Sequence, residues 1–394
     1  MRSMAKWAAA VVLVVAIGWG GLWWYAEARL HDALTSYAGQ LTTQGGLSAF
    51  SYDSISRGTD PLIASATLNN VRWNLAVPDP GESGTINLPY VTSWIDVFNP
   101  LVMHVGLPSH IVVTTPRGML DVTFGSFAYS IGLAPRALFN TRVYALTNQN
   151  LAISDLDLAI ASLHFPVLHI DSITGRETIN AGAGPGQVEL SGEDSIDGVT
   201  LPPALVALAH VPFDGKITHI GFGLTLSGPL DMAALMQHAG PAQIGSPDRT
   251  KLVIQALHQW AAHGGHGKAS LTVNIGPTGL EAGGNVAFDA QSQPNGTADV
   301  TADHLDAFTA ALTSAYPQMQ QSVVNMETQL SPYLTTSASA GQSLKVAIVY
   351  GKPGVVVNGT RMGDLPPIDW TALTNPPPPA QAPGDGSGAA NTAP

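Results

Sequence analysis

The feature that most constrains this chain is a repeated alternation of apolar and polar residues. Leu120, Val122 and Phe124 alternate with polar neighbours; after Gly125 the phase slips, and Phe127, Tyr129 and Ile131 carry the pattern on. A one-residue slip beside a glycine predicts a β-bulge. The alternation returns at Leu156, Leu158 and Ile160, at Ile220, Phe222, Leu224 and Leu226, at Leu271, Val273 and Ile275, and at Leu344, Val346, Ile348 and Tyr350. Successive strand side chains point to opposite faces, so each run predicts a sheet with one apolar and one polar face. Gly/Pro turns adjoin these runs: Thr115-Pro116-Arg117-Gly118, Gly276-Pro277-Thr278-Gly279 and Gly351-Lys352-Pro353-Gly354. They read as hairpins, and repeated hairpins build antiparallel meanders rather than βαβ units.

Helical periodicity is rarer. A short helix is expected near Asp231 to His238. A second starts at Ser246 as N-cap with Pro247 in the first turn, turns Val253, Ala256, Leu257 and Trp260 inward, and stops at Gly264-Gly265. A third carries an apolar stripe from Leu305 through Phe308, Leu312, Tyr316, Met319, Val323, Met326 and Leu330 to Tyr333, which Pro317 should kink or split. Segments 223–236 and 298–312 echo each other loosely, strand to Leu-Asp to Ala-rich helix. The predicted class is α+β: an N-terminal transmembrane helix, then a mainly antiparallel, curved β-sheet body with packed amphipathic helices.

The transmembrane helix is expected from the start of the chain. Arg2 and Lys6 precede an uncharged run from Trp7 to Tyr25, long enough to cross a hydrocarbon core at about 1.5 Å per residue. Trp7, Trp19, Trp23, Trp24 and Tyr25 are the expected anchor residues, because aromatic rings favour the membrane–water interface. The positive residues before the run predict a cytoplasmic N-terminus in a bacterial inner membrane, with the body in the periplasm. The competing reading is a cleaved signal peptide, with Ala26-Glu27-Ala28 as the site, and a soluble periplasmic body. Ala26, Leu30, Leu34, Tyr37 and Leu41 share one helical face, and Gly45-Gly46 would end this stalk. The expected organisation is therefore residues 1–25 as tip and anchor, 26–46 as stalk, 47–373 as body with a sub-boundary near 182–198, and 374–394 as a disordered Pro/Gly/Ala tail.

Charge and composition narrow the chemistry. Only 11% of residues are charged, against about 25% in ordinary domains. Sixteen basic residues face 28 acidic ones, for a net charge of -12. Without a basic block, nucleic acid is an unlikely partner on physical grounds. There is no cysteine, so thiol catalysis, disulfides and thiolate metal sites are excluded. No G-x-S-x-G elbow occurs, and Gly264-Gly265-His266-Gly267-Lys268 lacks the leading glycine and following hydroxyl residue of a phosphate loop. His258, His263 and His266 form the one cluster worth weighing for metal, but the first two are not spaced to share a helix face and no glutamate accompanies them; they read as exposed helix-end histidines. The 12 histidines could offset the net charge as pH falls, and solubility loss near the isoelectric point is the plainer reading than a switch. Trp73, Trp94 and Trp370 read as core packing, with a groove lining as the alternative, and the Asn295 and Asn358 sequons read as turns. No catalytic residue, cofactor or metal is expected.

The Trp-rich start, the Phe50-Ser51-Tyr52 strand, Asp60-Pro61 before the next strand, and the closing hairpin Leu344 to Gly359 with Val357-Asn358-Gly359 resemble the "domain of unknown function 2125" family of alphaproteobacterial membrane-anchored envelope proteins. That family brings no catalytic residues to carry over. The closing hairpin is also similar to the end of AsmA-like envelope proteins, which would imply a curved sheet with an apolar inner face and a part in outer-membrane lipid homeostasis. The expected function is non-enzymatic: holding or guiding a lipid or other apolar ligand in envelope maintenance, with the inner membrane and that ligand as partners. The alternative is an assembly scaffold whose helices fill the sheet face and leave no ligand site.

Overall fold

A computed structural model of the chain describes residues 19–21, 23–32, 34–35, 50–60, 62–76, 83–96, 98–135, 146–181, 188–229, 247–337, 340–352 and 354–374. Their strands form one sheet. It is a meander in which chain neighbours pair. β1 (Phe50–Ser51) and β2 (Ser54–Arg57) together edge β3 (Ile63–Ala76), which pairs with β4 (Ser83–Asp96). β5 (Asn99–Gly106) and β6 (His110–Thr115) act as one interrupted strand beside β4, and β7 (Gly118–Thr123) and β8 (Ser126–Leu133) as the next. β9 (Leu146–Ile160), β10 (Phe165–Ala181), β11 (Val188–Thr200), β12 (Lys216–Gly228), β13 (His266–Ile275), β14 (Thr278–Phe288) and β15 (Pro294–Asp303) follow in order. β17 (Gly341–Gly351) closes onto β15, and β16 (Leu334–Ser337) and β18 (Gly354–Val357) share its other side, with β19 (Thr360–Gly363) beyond β18. Every pairing is antiparallel, as the hairpin turns predict. The turn at Asn358-Gly359 has positive φ at both residues (46° and 84°), the geometry that suits the right-handed twist of a hairpin.

Of the expected sub-boundary near 182–198, residues 188–197 belong to β11 and pair with both β10 and β12, and residues 182–187 lie outside the described residues. The expected bulge at Gly125 is where β7 gives way to β8, opposite Asp155, and it is one point on a longer line. Asn70 in β3 (φ 53°), Asp155 in β9 (φ 49°) and Gly198 in β11 (φ 67°) are left-handed residues within strands, and Asp171 and Thr218 occupy the matching places in β10 and β12. Across this line the apolar spacing changes from two to three: Leu68 to Val71, Phe124 to Phe127, Ile153 to Leu156, Ile170 to Ile173, Ile196 to Val199, Ile217 to Ile220. Simple alternation would put the two members of each pair on opposite faces. The break keeps them together: Leu68 and Val71 share one core cluster with Leu88, Phe50, Ile55 and Ile86.

Six helices accompany the sheet among the described residues: α1 (helical at 19–21, 23–32 and 34–35), α2 (Pro203–Ala209), α3 (Pro247–Ala262), α4 (Leu305–Ala315), α5 (Gln320–Leu330) and α6 (Trp370–Thr374). Pro317 splits the third expected helix into α4 and α5, with Pro317–Met319 as a 3-10 turn between them. The helix expected near Asp231–His238, and with it the helical half of the first copy of the internal echo, lies outside the described residues, as does Ser246; the strand half of that copy is the end of β12. In α3, Trp260 is buried and Ala256 and Leu257 are half-buried, as expected of the inward face, but Val253 is exposed while Ile254 is half-buried, and Ala261 is buried beside Trp260. The packed face is therefore turned by one residue at that end of the helix.

The N-terminal transmembrane helix is not supported. Among the described residues no helix is long and apolar enough to cross a membrane, and of the run Trp7–Tyr25 only residues 19–21 and 23–25 are described. Those residues belong to a helix that docks on the sheet. Leu30 is buried with Ala66 of β3 and Ile95 of β4, and Leu34, Ile55 and Met103 pack around them. Higher on the helix, the Trp23 indole N–H donates to the Ile63 carbonyl at 3.3 Å, and the Trp19 ring lies 4.8 Å from that of Phe98. The rest of the stalk, Tyr37 to Gly46, and the tail beyond Thr374 lie outside the described residues.

Candidate functional site

The register brings apolar residues from distant parts of the chain into rows. Phe127, Ile153, Ile173, Ile196, Ile220, Val273, Leu280, Ala302 and Leu344 stand opposite one another from β8 to β15 and on to β17. Every one is apolar. Two residues along, and so on the same face, lies the row Tyr129, Leu151, Gly175, Asp194, Phe222, Leu271, Ala282, Val300 and Val346. The alternation in each strand was legible in the sequence. Which strands share a row is set by hairpin register.

Helices cover this face at its ends. α1 lies over β3, β4 and β5. α3 sets Trp260 over Gly265 and Gly267, where any side chain at Gly265 would collide with the indole. Trp260 is 4% exposed, donates its indole N–H to the Ser227 carbonyl at 3.0 Å, and meets Phe288 edge-on at 5.4 Å. α4 packs on β14 and β17, and its Phe308 stacks on Phe213 at 5.8 Å. Between these covers Phe222 is 46% and Leu271 38% exposed, although both sit mid-strand in the apolar rows. Leu151, Ile153, Ile173, Ile196 and Ile220 beside them are only half-buried. An apolar sheet face normally has to be covered, and this stretch is not covered by the described helices.

One end of the open stretch is polar. Tyr129 Oη donates to Gln149 Oε1, and Gln149 Nε2 donates to Glu177 Oε2 at 3.1 Å. Gln149 and Glu177 are register partners in the next row of the same face, and Asp194 interrupts the row of Phe222. The open stretch is thus an apolar floor with a few polar groups at one side.

Titratable groups elsewhere among the described residues pair locally along the sheet. Along the break line His169 bridges two carboxylates, Nδ1 to Asp157 at 2.7 Å and Nε2 to Asp171 at 3.1 Å. The hydrogen bond that the protonated ring donates to Asp157 holds the His169 imidazole above the usual histidine range, with burial opposing it and Asp171 adding to it. His219 Nδ1 lies 2.6 Å from Asp197, and that bond, helped by Ser172, holds the Asp197 carboxyl below the usual range against its desolvation. Serine, aspartate and histidine meet here, but Ser172 and Ser195 donate to Asp197 (3.2 and 3.3 Å) rather than to the imidazole. No ring nitrogen is placed to take a hydroxyl proton, which nucleophilic catalysis of that kind needs.

The sequence-flagged residues go to separate tasks. His258 stacks on Trp370 at 4.9 Å, His263 Nδ1 meets the Gln259 carbonyl at 2.7 Å, and His266 opens β13, so the three do not converge. Among the described residues no group of three His, Cys, Asp or Glu could hold a metal. Trp94 stacks on His104 at 5.3 Å, Trp73 pairs in register with Phe50, and Trp370 donates to the Ser292 carbonyl at 3.1 Å; all three pack rather than line the open face. Asn358 is a turn residue as expected, but Asn295 lies within β15. Of the anchor residues, Trp7 lies outside the described residues; Trp19 and Trp23 contact the sheet, and Trp24 (62%) and Tyr25 (40%) are exposed. Comparison with curated proteins and with solved structures brought no match. The profile of one family, described as "Uncharacterized protein conserved in bacteria (DUF2125)", matches residues 23–366, and the chain belongs to that family.

Proposed function

We propose that this member of the DUF2125 family holds or guides a lipid, or another amphipathic apolar ligand, on the open stretch of its sheet, without catalysing a reaction. The observation that carries the reading is the pair Phe222 and Leu271, exposed in mid-strand beside the all-apolar row of Ile196, Ile220 and Val273. Exposing contiguous apolar surface is costly at roughly 25 cal/mol per Å², and such patches mark ligand or partner sites. An acyl chain would lie along the rows. The Tyr129–Gln149–Glu177 chain would meet the polar head, and its carboxylate favours a head that carries a hydrogen-bond donor or an amine.

In the same reading, the uncharged run after Arg2 and Lys6 anchors the chain in a bacterial inner membrane, with the body on the periplasmic side. The likeness of the closing hairpin to AsmA-like envelope proteins, and the alphaproteobacterial setting, belong to this proposal. The scaffold alternative draws on the filled ends of the face, where Leu30 and Trp260 are buried.

The test is lipid extraction and mass spectrometry on residues 19–373, exported to the periplasm and purified without detergent. Starting at Trp19 retains the docking contacts of Trp19 and Trp23. A stoichiometric lipid is the expected result. A folded, lipid-free body would overturn the ligand reading in favour of the scaffold.

A further inference from the structure

We propose that two turn tips, Leu62 and Phe98, rest in the headgroup region of a lipid bilayer beside the N-terminal end of α1, and set the strands end-on to the membrane. The proposal rests on the membrane-anchorage part of the reading above and is independent of the ligand.

Leu62 precedes β3, and Phe98 lies between β4 and β5. Ile63 and Asp96 are register partners, so the two tips are neighbours. One device builds both. Asp60 Oδ1 accepts the Leu62 N–H at 2.8 Å, and Asp96 Oδ1 accepts the Phe98 N–H at 2.8 Å. An aspartate bonding the backbone two residues on makes a tight, self-supporting turn. Each turn here presents a large apolar residue, with Leu62 50% and Phe98 74% exposed.

A single exposed apolar residue needs no explanation. These two stand with the aromatic end of α1. The Trp19 ring lies 4.8 Å from Phe98, the Trp23 indole bonds the Ile63 carbonyl, and Trp24 is 62% exposed on the same turn of helix. The order of contacts along α1, Trp19 at Phe98, Trp23 at Ile63 and Leu30 at Ala66 and Ile95, fixes its direction. The described part of the helix starts at the tips and runs away from them along β3. The uncharged sequence from Trp7 to Gly18 therefore joins the body at the tips. That continuity selects a bilayer as the occupant over a protein partner, and Trp and Tyr are the residues that favour its interface.

The chain has no cysteine, so single cysteines report one site each. Leu62→Cys, Phe98→Cys and, as reference, Leu163→Cys would be made in the full chain and given a nitroxide label. Leu163 is 70% exposed in the turn between β9 and β10, at the other end of the strands. The proteins would be reconstituted in vesicles of phosphatidylethanolamine with a minority of phosphatidylglycerol. Collision rates with oxygen and with a water-soluble nickel chelate would then be compared. The expected result is nickel accessibility several-fold lower at positions 62 and 98 than at 163, with oxygen accessibility higher. Equal nickel accessibility at all three sites, in protein that floats with the vesicles, would overturn the proposal and leave anchorage standing. Protein that fails to float would overturn both. Bound lipid, measured separately, reports on the ligand reading whichever way the labels fall.

Discussion

Phe222 of β12 and Leu271 of β13 stand opposite each other in register, and both keep more than a third of their surface in solvent. On one side the row continues with the exposed Asp194 of β11, and on the other with the half-buried Ala282 of β14. This pair is the natural place to separate ligand binding from folding. Phe222→Asp should weaken binding of an acyl-chain probe by about 10-fold or more, since burying such a side chain is worth about 1.5–3 kcal/mol. Stability should change little, because the side chain is already half exposed. Probe fluorescence titration and a urea melt check the two halves; a large stability loss with unchanged binding would contradict the site.

Trp260 should behave in the opposite way. It is buried against Gly265, Gly267 and Phe288, with its N–H satisfied by Ser227. Trp260→Ala should cost about 3–5 kcal/mol, the usual loss for a buried tryptophan. Chemical denaturation measures it, and a loss under about 1 kcal/mol would mean that α3 does not cap the sheet.

Gly198 should resist substitution. Its φ of 67° is left-handed, and a side chain there would collide with the Asp171 carboxylate. Gly198→Ala should destabilise by about 1–3 kcal/mol and disturb the His169–Asp171 contact beside it. Thermal melts, with the His169 ring signals followed by NMR, test both consequences.

The His–Asp contacts predict a pH dependence with a definite sign. The folded-state pKa of His169 is raised, so its contribution is fully present below the unfolded value near 6.5 and is lost as pH climbs through the raised value. The Asp197 pKa is lowered, so its contribution is present above the unfolded value near 3.8 and is lost as pH falls through the depressed one. His169 is partly exposed, which limits its share to at most about 1 kcal/mol. His169→Gln should flatten the stability curve on the alkaline side of about pH 6.5; an unchanged curve there would assign the slope elsewhere.

Strands and turns were legible in this sequence because they are local. A period of two, read between Gly/Pro turns, needs only the chain itself, and Pro317 ends a helix wherever it occurs. The slip at Gly125 was legible for the same reason. Asp155, Asn70 and Asp171 gave no comparable signal, since Asp and Asn are ordinary strand-edge residues until a register lines them up. What the neighbours of each strand would be, that six apolar phase changes fall on one line, and that Phe222 meets Leu271 uncovered are products of pairing between segments far apart in the chain. So is the docking of Trp19 and Trp23, whose ring and N–H reach Phe98 and the Ile63 carbonyl. Local sequence determined the meander and its apolar face. Only the tertiary structure decided which part of that face its own helices cover, because covering depends on where each helix lands and not on how apolar it is.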